Sequence, residues 1–89
     1  MTTETNKKPM VYVLSTCPRC RRVKAWLIEQ GIDFDLVEVD LLPREERHKI
    51  LIELRKHRPV VSFPVIETGD RVLLGTNVDE VKEVFGSAQ

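Results

Sequence analysis

The chain has only two cysteines in 89 residues. Two thiols cannot staple a disulfide scaffold, so the fold must be held by packing. They lie at Cys17 and Cys20, and a bridge between them would close a loop too short to restrain much of the unfolded chain. The pair is therefore chemical rather than structural, and a reducing cytoplasm is the expected compartment. Charge of either sign is not in excess: 14 Lys and Arg are balanced by 14 Asp and Glu. A general nucleic-acid or membrane-surface binder would carry a clear basic surplus, so neither partner is expected. Long apolar runs are also missing. The longest, residues 10–14, has five residues, where a spanning helix needs roughly 20. The polar first eight residues lack the apolar core of a secretory signal. There are no repeats, no low-complexity segments, no Gly-rich phosphate loop and no carboxylate pair arranged for acid–base work.

What is present suits one small domain, with 42% hydrophobic and 31% charged residues. Residues 1–9 read as a polar, mobile tail, 10–86 as the domain and 87–89 as a short C-terminal tail. Residues 10–14 are apolar and rich in β-formers, the pattern of a strand buried on both faces. Pro18 suits the first turn of a helix. Cys20, Val23 and Leu27 follow at helical spacing beside the packing residue Trp26, and Gly31 is placed to end that helix, over about 18–30. Residues 34–39 alternate apolar and acidic, as a half-buried strand does. Asp33, Asp35, Glu38 and Asp40 flank it as charges that discourage edge-to-edge pairing.

Pro43 opens a second helix. Glu45 and Glu46 stand in its first turn, with Lys56, His57 and Arg58 past its end, an order that suits the helix dipole. Its inner stripe is Ile50, Leu51 and Leu54. Pro64 forbids a strand through residues 60–66, so the third strand begins at or after it. Thr68, Gly69 and Asp70 make a tight turn, and residues 71–74 return as the second arm of a hairpin. Thr76 or Asn77 can cap a last helix whose apolar face is Val78, Val81, Val84 and Phe85. The order is β-α-β-α-β-β-α: a parallel βαβ pair joined by an antiparallel hairpin, with helices on both faces.

A Cys-x-x-Cys directly after the first strand and opening the first helix is the setting of a thioredoxin-like redox site. Thiol–disulfide exchange needs an exposed thiolate with a pKa near ambient pH. Cys17 precedes Pro18, so it takes the cap position, where unpaired N–H groups and the dipole stabilise an anion. Arg19, Arg21, Arg22 and Lys24 add positive charge. A depressed Cys17 pKa is expected. Cys20, one turn in, is more buried. Cys17 is thus the attacking thiol and Cys20 the resolving one. No metal is expected, because zinc would need further ligands and His48 and His57 lie too far apart in sequence to supply a paired set.

Three segments together resemble the glutaredoxin family: Thr16-Cys17-Pro18-Arg19-Cys20 after a strand, Ser62-Phe63-Pro64-Val65 before the third strand, and Gly75-Thr76-Asn77 before the last helix. The resemblance covers about residues 10–86. It implies an α/β thioredoxin-like fold of the glutaredoxin type, with a four-stranded mixed sheet, and dithiol–disulfide exchange. It implies a cis bond between Phe63 and Pro64. It also assigns Thr16, Pro18 and Arg19 to support of the dithiol, and Phe63, Pro64, Gly75, Thr76, Asn77 and Asp79 to contact with substrate or glutathione. Glutathione is then the co-substrate, no cofactor is tightly bound, and the protein is a monomer acting on disulfide-bearing proteins.

Three departures from the family pattern bear on the electron donor. The lysine that many members carry shortly before the first cysteine is replaced by Leu14-Ser15-Thr16, without a basic residue. The usual paired glycine is reduced to Leu74-Gly75. The third motif position is Arg19 rather than an aromatic residue. Arg19, or Lys56 and Arg58, could replace the missing cation, since arginine suits bidentate carboxylate binding. These departures keep a second reading open: an electron carrier of the ribonucleotide-reductase type, reduced by a thioredoxin reductase. A further alternative is a dimer holding an iron–sulfur cluster through Cys17 and bound thiols, although the family associates Pro18 beside Cys17 with disfavoured cluster assembly. A redox-inert adaptor would not require both cysteines.

Overall fold

A computed structural model describes residues 8–69 and 71–86. Residues 1–7 and 87–89 of the expected tails, and Asp70 of the expected turn, lie outside the described residues. The elements are β1 (Met10–Val13), α1 (Pro18–Glu29), β2 (Asp35–Glu38), a 3₁₀ helix (Val39–Leu41), α2 (Arg44–Arg55), β3 (Val65–Glu67), β4 (Val72–Leu74) and α3 (Val78–Gly86). They form one four-stranded sheet in the order β2-β1-β3-β4. β1 runs parallel to β2 and antiparallel to β3, and β3 runs antiparallel to β4. This is the α/β arrangement that the element order predicted, and the thioredoxin-like, glutaredoxin-type fold that the resemblance implied.

Lys8 lies 4.0 Å from the Asp35 carboxylate, and the Asp35 N–H donates to the Pro9 carbonyl at 2.9 Å. The Pro9 carbonyl thus takes the hydrogen bond that opens the β1–β2 pairing at Met10 and Asp35. β1 also alternates rather than being buried throughout: Val11 and Val13 are buried, Met10 and Tyr12 half-buried. The cause is an uneven cover. Val11 and Ile66, opposite one another in the sheet, share a core with Val13, with Cys20, Val23 and Leu27 of α1 and with Val81 of α3. Trp26, Phe34, Phe63 and Phe85 pack against this core as half-buried rings. The other face carries Tyr12 beside Val65, and α2 is the helix near it, with Glu53 close enough to act on the Tyr12 hydroxyl. Of the expected stripe on α2 only Leu54 is fully buried, and Ile50 and Leu51 are half-buried.

Local chemistry explains the element ends. α1 starts on Pro18, whose missing N–H would have had no acceptor there. It ends at Gly31, which takes φ +69°. There the Gly31 N–H donates to the Ile28 carbonyl and the Ile32 N–H to the Leu27 carbonyl, the left-handed stop that glycine permits. β2 is shorter than the alternation suggested, because Val39 leaves the strand to begin the 3₁₀ helix and is itself buried there. β3 begins at Val65, just after the proline, as a lost backbone donor requires. The hairpin turn is closed by Thr68, whose N–H donates to the Arg71 carbonyl at 2.8 Å and whose hydroxyl accepts the Arg71 N–H at 3.1 Å.

Candidate redox site

The parallel arrangement of β1 and β2 brings their C-terminal ends to one edge of the sheet, and the turn leaving β1 carries both cysteines. Cys17 is the N-cap of α1, with extended backbone angles. Its N–H donates to the Leu14 carbonyl at 3.2 Å, and its sulfur accepts the Cys20 N–H at 3.4 Å. Cys17 is half-buried, so a partner can reach it. Cys20 is 1% exposed and sits in the core under α1. Both thiols are free.

Electrostatics separate the two groups. Partial burial pushes the Cys17 thiol up, but hydrogen bonds from the Cys20 thiol and from the backbone N–H groups of Cys20 and Arg19, with the Arg19 charge, outweigh it and leave the Cys17 pKa below the ordinary thiol value. Burial pushes Cys20 the other way, to about 11, with the neighbouring Cys17 thiolate adding to the rise. One cysteine is thus accessible and easily ionised; the other is hidden and held neutral. Of the four cations near the motif, Arg19 is the one that acts chiefly on both sulfurs.

The remaining expected residues gather around this edge. The Phe63–Pro64 bond is cis. Phe63 packs half-buried against the same core as Cys17, and Pro64 is buried. Gly75 has φ +63°, and its N–H donates to the Ser62 carbonyl at 2.8 Å and the Pro64 carbonyl at 3.0 Å. Arg19 reaches across from α1, its guanidinium donating to the Gly75 carbonyl at 3.4 Å. Thr16 and Pro18 are exposed beside Cys17.

Thr76 is the buried member of this corner. It is 1% exposed, its N–H donates to the Pro64 carbonyl and its hydroxyl to the Asn77 carbonyl, each at 3.4 Å. Its N–H and hydroxyl are thus bonded within the fold, and Asn77, Val78 and Asp79 line the open side of this corner. Asn77 caps α3: its side-chain oxygen accepts the Glu80 N–H at 3.0 Å, and the Glu80 carboxylate accepts the Asn77 N–H at 3.3 Å, a reciprocal capping box. An open cleft of about 320 Å³ separates Asn77, Val78 and Asp79 from Arg19 and Arg22. Arg22 was legible only as one more cation, although its place three residues after Arg19 puts both on one face of α1. Lys56, a candidate for the missing cation, is paired with Glu53 at 3.0 Å.

Two further residues of this edge escaped sequence reasoning. The Asp40 carboxylate accepts the Ser15 N–H at 2.9 Å and the Ser15 hydroxyl at 2.6 Å. Among the described residues, no three His, Cys, Asp or Glu side chains are grouped to hold a metal ion, and no helix is long and apolar enough to cross a membrane.

A family model for glutaredoxin matches residues 10–73. Among solved structures, a glutaredoxin from Archaeoglobus fulgidus is 37% identical with a TM-score of 0.76, over 85% of this chain and 83% of that one. The methanoredoxin of Methanosarcina acetivorans is 34% identical with a TM-score of 0.79, over 89% and 84% of the two chains. The glutaredoxin-like NrdH-redoxin from Escherichia coli shares the fold, with a TM-score of 0.65 at 22% identity over 88% and 95% of the two chains. No curated protein matches. A Cys-x-x-Cys at a helix start, a four-stranded sheet of this topology and a family match over most of the chain agree, and the chain belongs to the glutaredoxin family.

Proposed function

We propose that the protein reduces protein or glutathione mixed disulfides through the Cys17–Cys20 dithiol. The observation that carries this reading is the split between the two sulfurs: Cys17 accessible with a lowered pKa, Cys20 buried with a raised one. The Cys17 thiolate attacks one sulfur of the substrate disulfide. A Cys17–substrate S–S bond forms, the substrate S–S bond breaks, and the departing thiolate takes a proton. Cys17 then no longer carries charge, which removes the part of the Cys20 rise that came from the thiolate. Cys20 gives up its proton and attacks the Cys17 sulfur, forming the Cys17–Cys20 disulfide and expelling the second substrate thiol. Two electrons have passed to the substrate, and an external thiol donor returns them. A reducing compartment such as the cytoplasm suits this cycle.

Glutathione is the donor that the family relationship favours. The cleft beside Arg19 and Arg22 offers cations and, at the start of α3, the N–H groups of Val78 and Asp79, which have no acceptor within the helix. Phe63, Gly75, Asn77 and Asp79 would frame the bound thiol. A specific observation favours a second donor: the turn before Cys17 carries no lysine, and its Ser15 is tied to an acid. This suits a carrier reduced by a thioredoxin reductase, as the thioredoxin-like activity profile described for the NrdH-redoxin suggests.

Reduction of a glutathione mixed disulfide by the purified chain separates the two. One run regenerates with glutathione and glutathione reductase, the other with thioredoxin reductase, and each includes Cys17→Ser. Turnover with glutathione that is lost in the variant supports the first reading. Turnover with the reductase alone assigns the carrier role.

A further inference from the structure

We infer that Asp40 is a positioning residue for this exchange: through Ser15 it holds the turn that delivers Cys17 to the start of α1. The inference rests on the reading of Cys17 as the attacking thiol. Only residues 14–17 separate the end of β1 from α1. That turn has one backbone closure, from the Cys17 N–H to the Leu14 carbonyl. The backbone of Leu14 also acts on the Cys20 sulfur, where it offsets part of the rise that burial causes.

Asp40 adds the second constraint. Its two oxygens take the N–H and the hydroxyl of the same residue, at 2.9 and 2.6 Å. Two charge-assisted bonds to one residue fix both its backbone and its rotamer. The clamp has a rigid base, because Asp40 sits in the 3₁₀ helix beside Val39, which is 2% exposed. The exits of the two parallel strands are thereby tied together two residues before the nucleophile. These same hydrogen bonds keep the Asp40 carboxyl below the usual carboxylate range, with Arg47 of α2 assisting. On the other side of the turn Arg19 acts on Cys17.

Position and charge give opposite signs here. A carboxylate acting on the sulfur by charge would oppose the thiolate, so removing it would lower the Cys17 pKa. A carboxylate that holds the turn keeps the Cys17 sulfur against the N–H groups of Arg19 and Cys20, so removing it would raise the pKa.

The test is the pH dependence of Cys17 alkylation by iodoacetamide in the reduced full chain, followed by mass spectrometry, for Asp40→Ala, Asp40→Asn and Ser15→Ala. It uses no disulfide substrate and no donor. A wild-type Cys17 with no preference over Cys20 would therefore defeat the nucleophile assignment separately from the clamp. Asp40→Ala is expected to move the midpoint up by about one pH unit. At pH values below both midpoints the thiolate fraction then falls about tenfold, and the higher intrinsic nucleophilicity of a more basic thiol limits the loss in disulfide exchange there to about threefold. Asp40→Asn should restore most of the rate, since its amide can accept the Ser15 N–H and donate to the Ser15 hydroxyl oxygen. Ser15→Ala should fall between. A midpoint that drops in both Asp40 variants, or that stays unchanged in Asp40→Ala, overturns the inference. If Asp40→Ala does not fold, an unchanged midpoint in Ser15→Ala overturns it.

Discussion

Gly75 lies so close to Ser62 that a Cβ on the glycine would stand 2.9 Å from the serine Cβ. The same pair is joined by the Gly75 N–H on the Ser62 carbonyl at 2.8 Å. The turn before α3 is thus pressed against the segment that presents Phe63 and Pro64. The Arg19 guanidinium reaches the Gly75 carbonyl from the cysteine motif. Three segments far apart in sequence meet at this one glycine.

Gly75→Ala should therefore be strongly destabilising. The left-handed φ costs about 1–2 kcal/mol for a residue with a Cβ, and the clash with backbone-near atoms of Ser62 adds about 1–3 kcal/mol. For a domain of this size each kcal/mol moves Tm by about 4–8 °C, so a thermal melt reads the effect directly. An unchanged Tm would mean that the turn relaxes freely.

The sulfurs give a pH dependence with two signs. The folded pKa of Cys17 is below its unfolded value, so its ionisation stabilises the reduced fold fully above the unfolded thiol pKa of ~8.5. That contribution is lost as pH falls through the lowered folded value. Cys20 has the reverse sign: its folded pKa is raised to about 11. Its contribution is intact below ~8.5 and is lost as pH rises toward about 11. Denaturant unfolding of the reduced protein across this alkaline range should show a decline that Cys20→Ser removes. A decline of the same size in the variant would assign it to other groups.

Arg19 contributes to the lowered Cys17 pKa through charge and through its backbone N–H. Arg19→Ala removes only the charge, so the alkylation midpoint of Cys17 should rise by a fraction of a unit and not return to the free-thiol value. If Arg19 also holds a substrate carboxylate, KM for a glutathione mixed disulfide should rise in the same variant. A KM that does not move would limit Arg19 to the sulfur and to the Gly75 carbonyl.

Asn77 can be tested as a cap apart from any ligand role. Asn77→Ala removes the acceptor of the Glu80 N–H and should cost about 1 kcal/mol, whereas Asn77→Ser should keep most of that. Thermal melts of the two variants without ligand measure the cap. Exchange kinetics with the serine variant then report ligand contact with little loss of helix stability.

Most of the frame was legible because it depends on local chemistry. Pro18 beside Cys17 marks a helix start, Pro64 delays β3, and the spacing of Cys20, Val23 and Leu27 marks the face of α1 that enters the core. The parts that were not legible depend on partners distant in sequence. Asp40 reads as a solvated charge at a strand edge until the fold brings Ser15, 25 positions earlier, onto its carboxylate. Arg19 reads as a cation that supports the dithiol, but its contact with the Gly75 carbonyl, 56 positions away, shows only in the fold. Thr76 reads as a helix cap or, by resemblance, a ligand contact, and its burial shows only once the Pro64 carbonyl meets its N–H.

The most direct measurement is mass spectrometry of the full chain after mixing the reduced protein with a glutathione mixed disulfide, for the wild type, Cys17→Ser and Cys20→Ser. The division of labour between the sulfurs predicts three products. The wild type ends as the Cys17–Cys20 disulfide with released thiols, Cys20→Ser accumulates one mixed disulfide on Cys17, and Cys17→Ser stays unmodified because its remaining thiol is buried and held neutral. Rapid adduct formation on Cys20 in the Cys17→Ser protein, or no adduct on Cys17 in the Cys20→Ser protein, would contradict it.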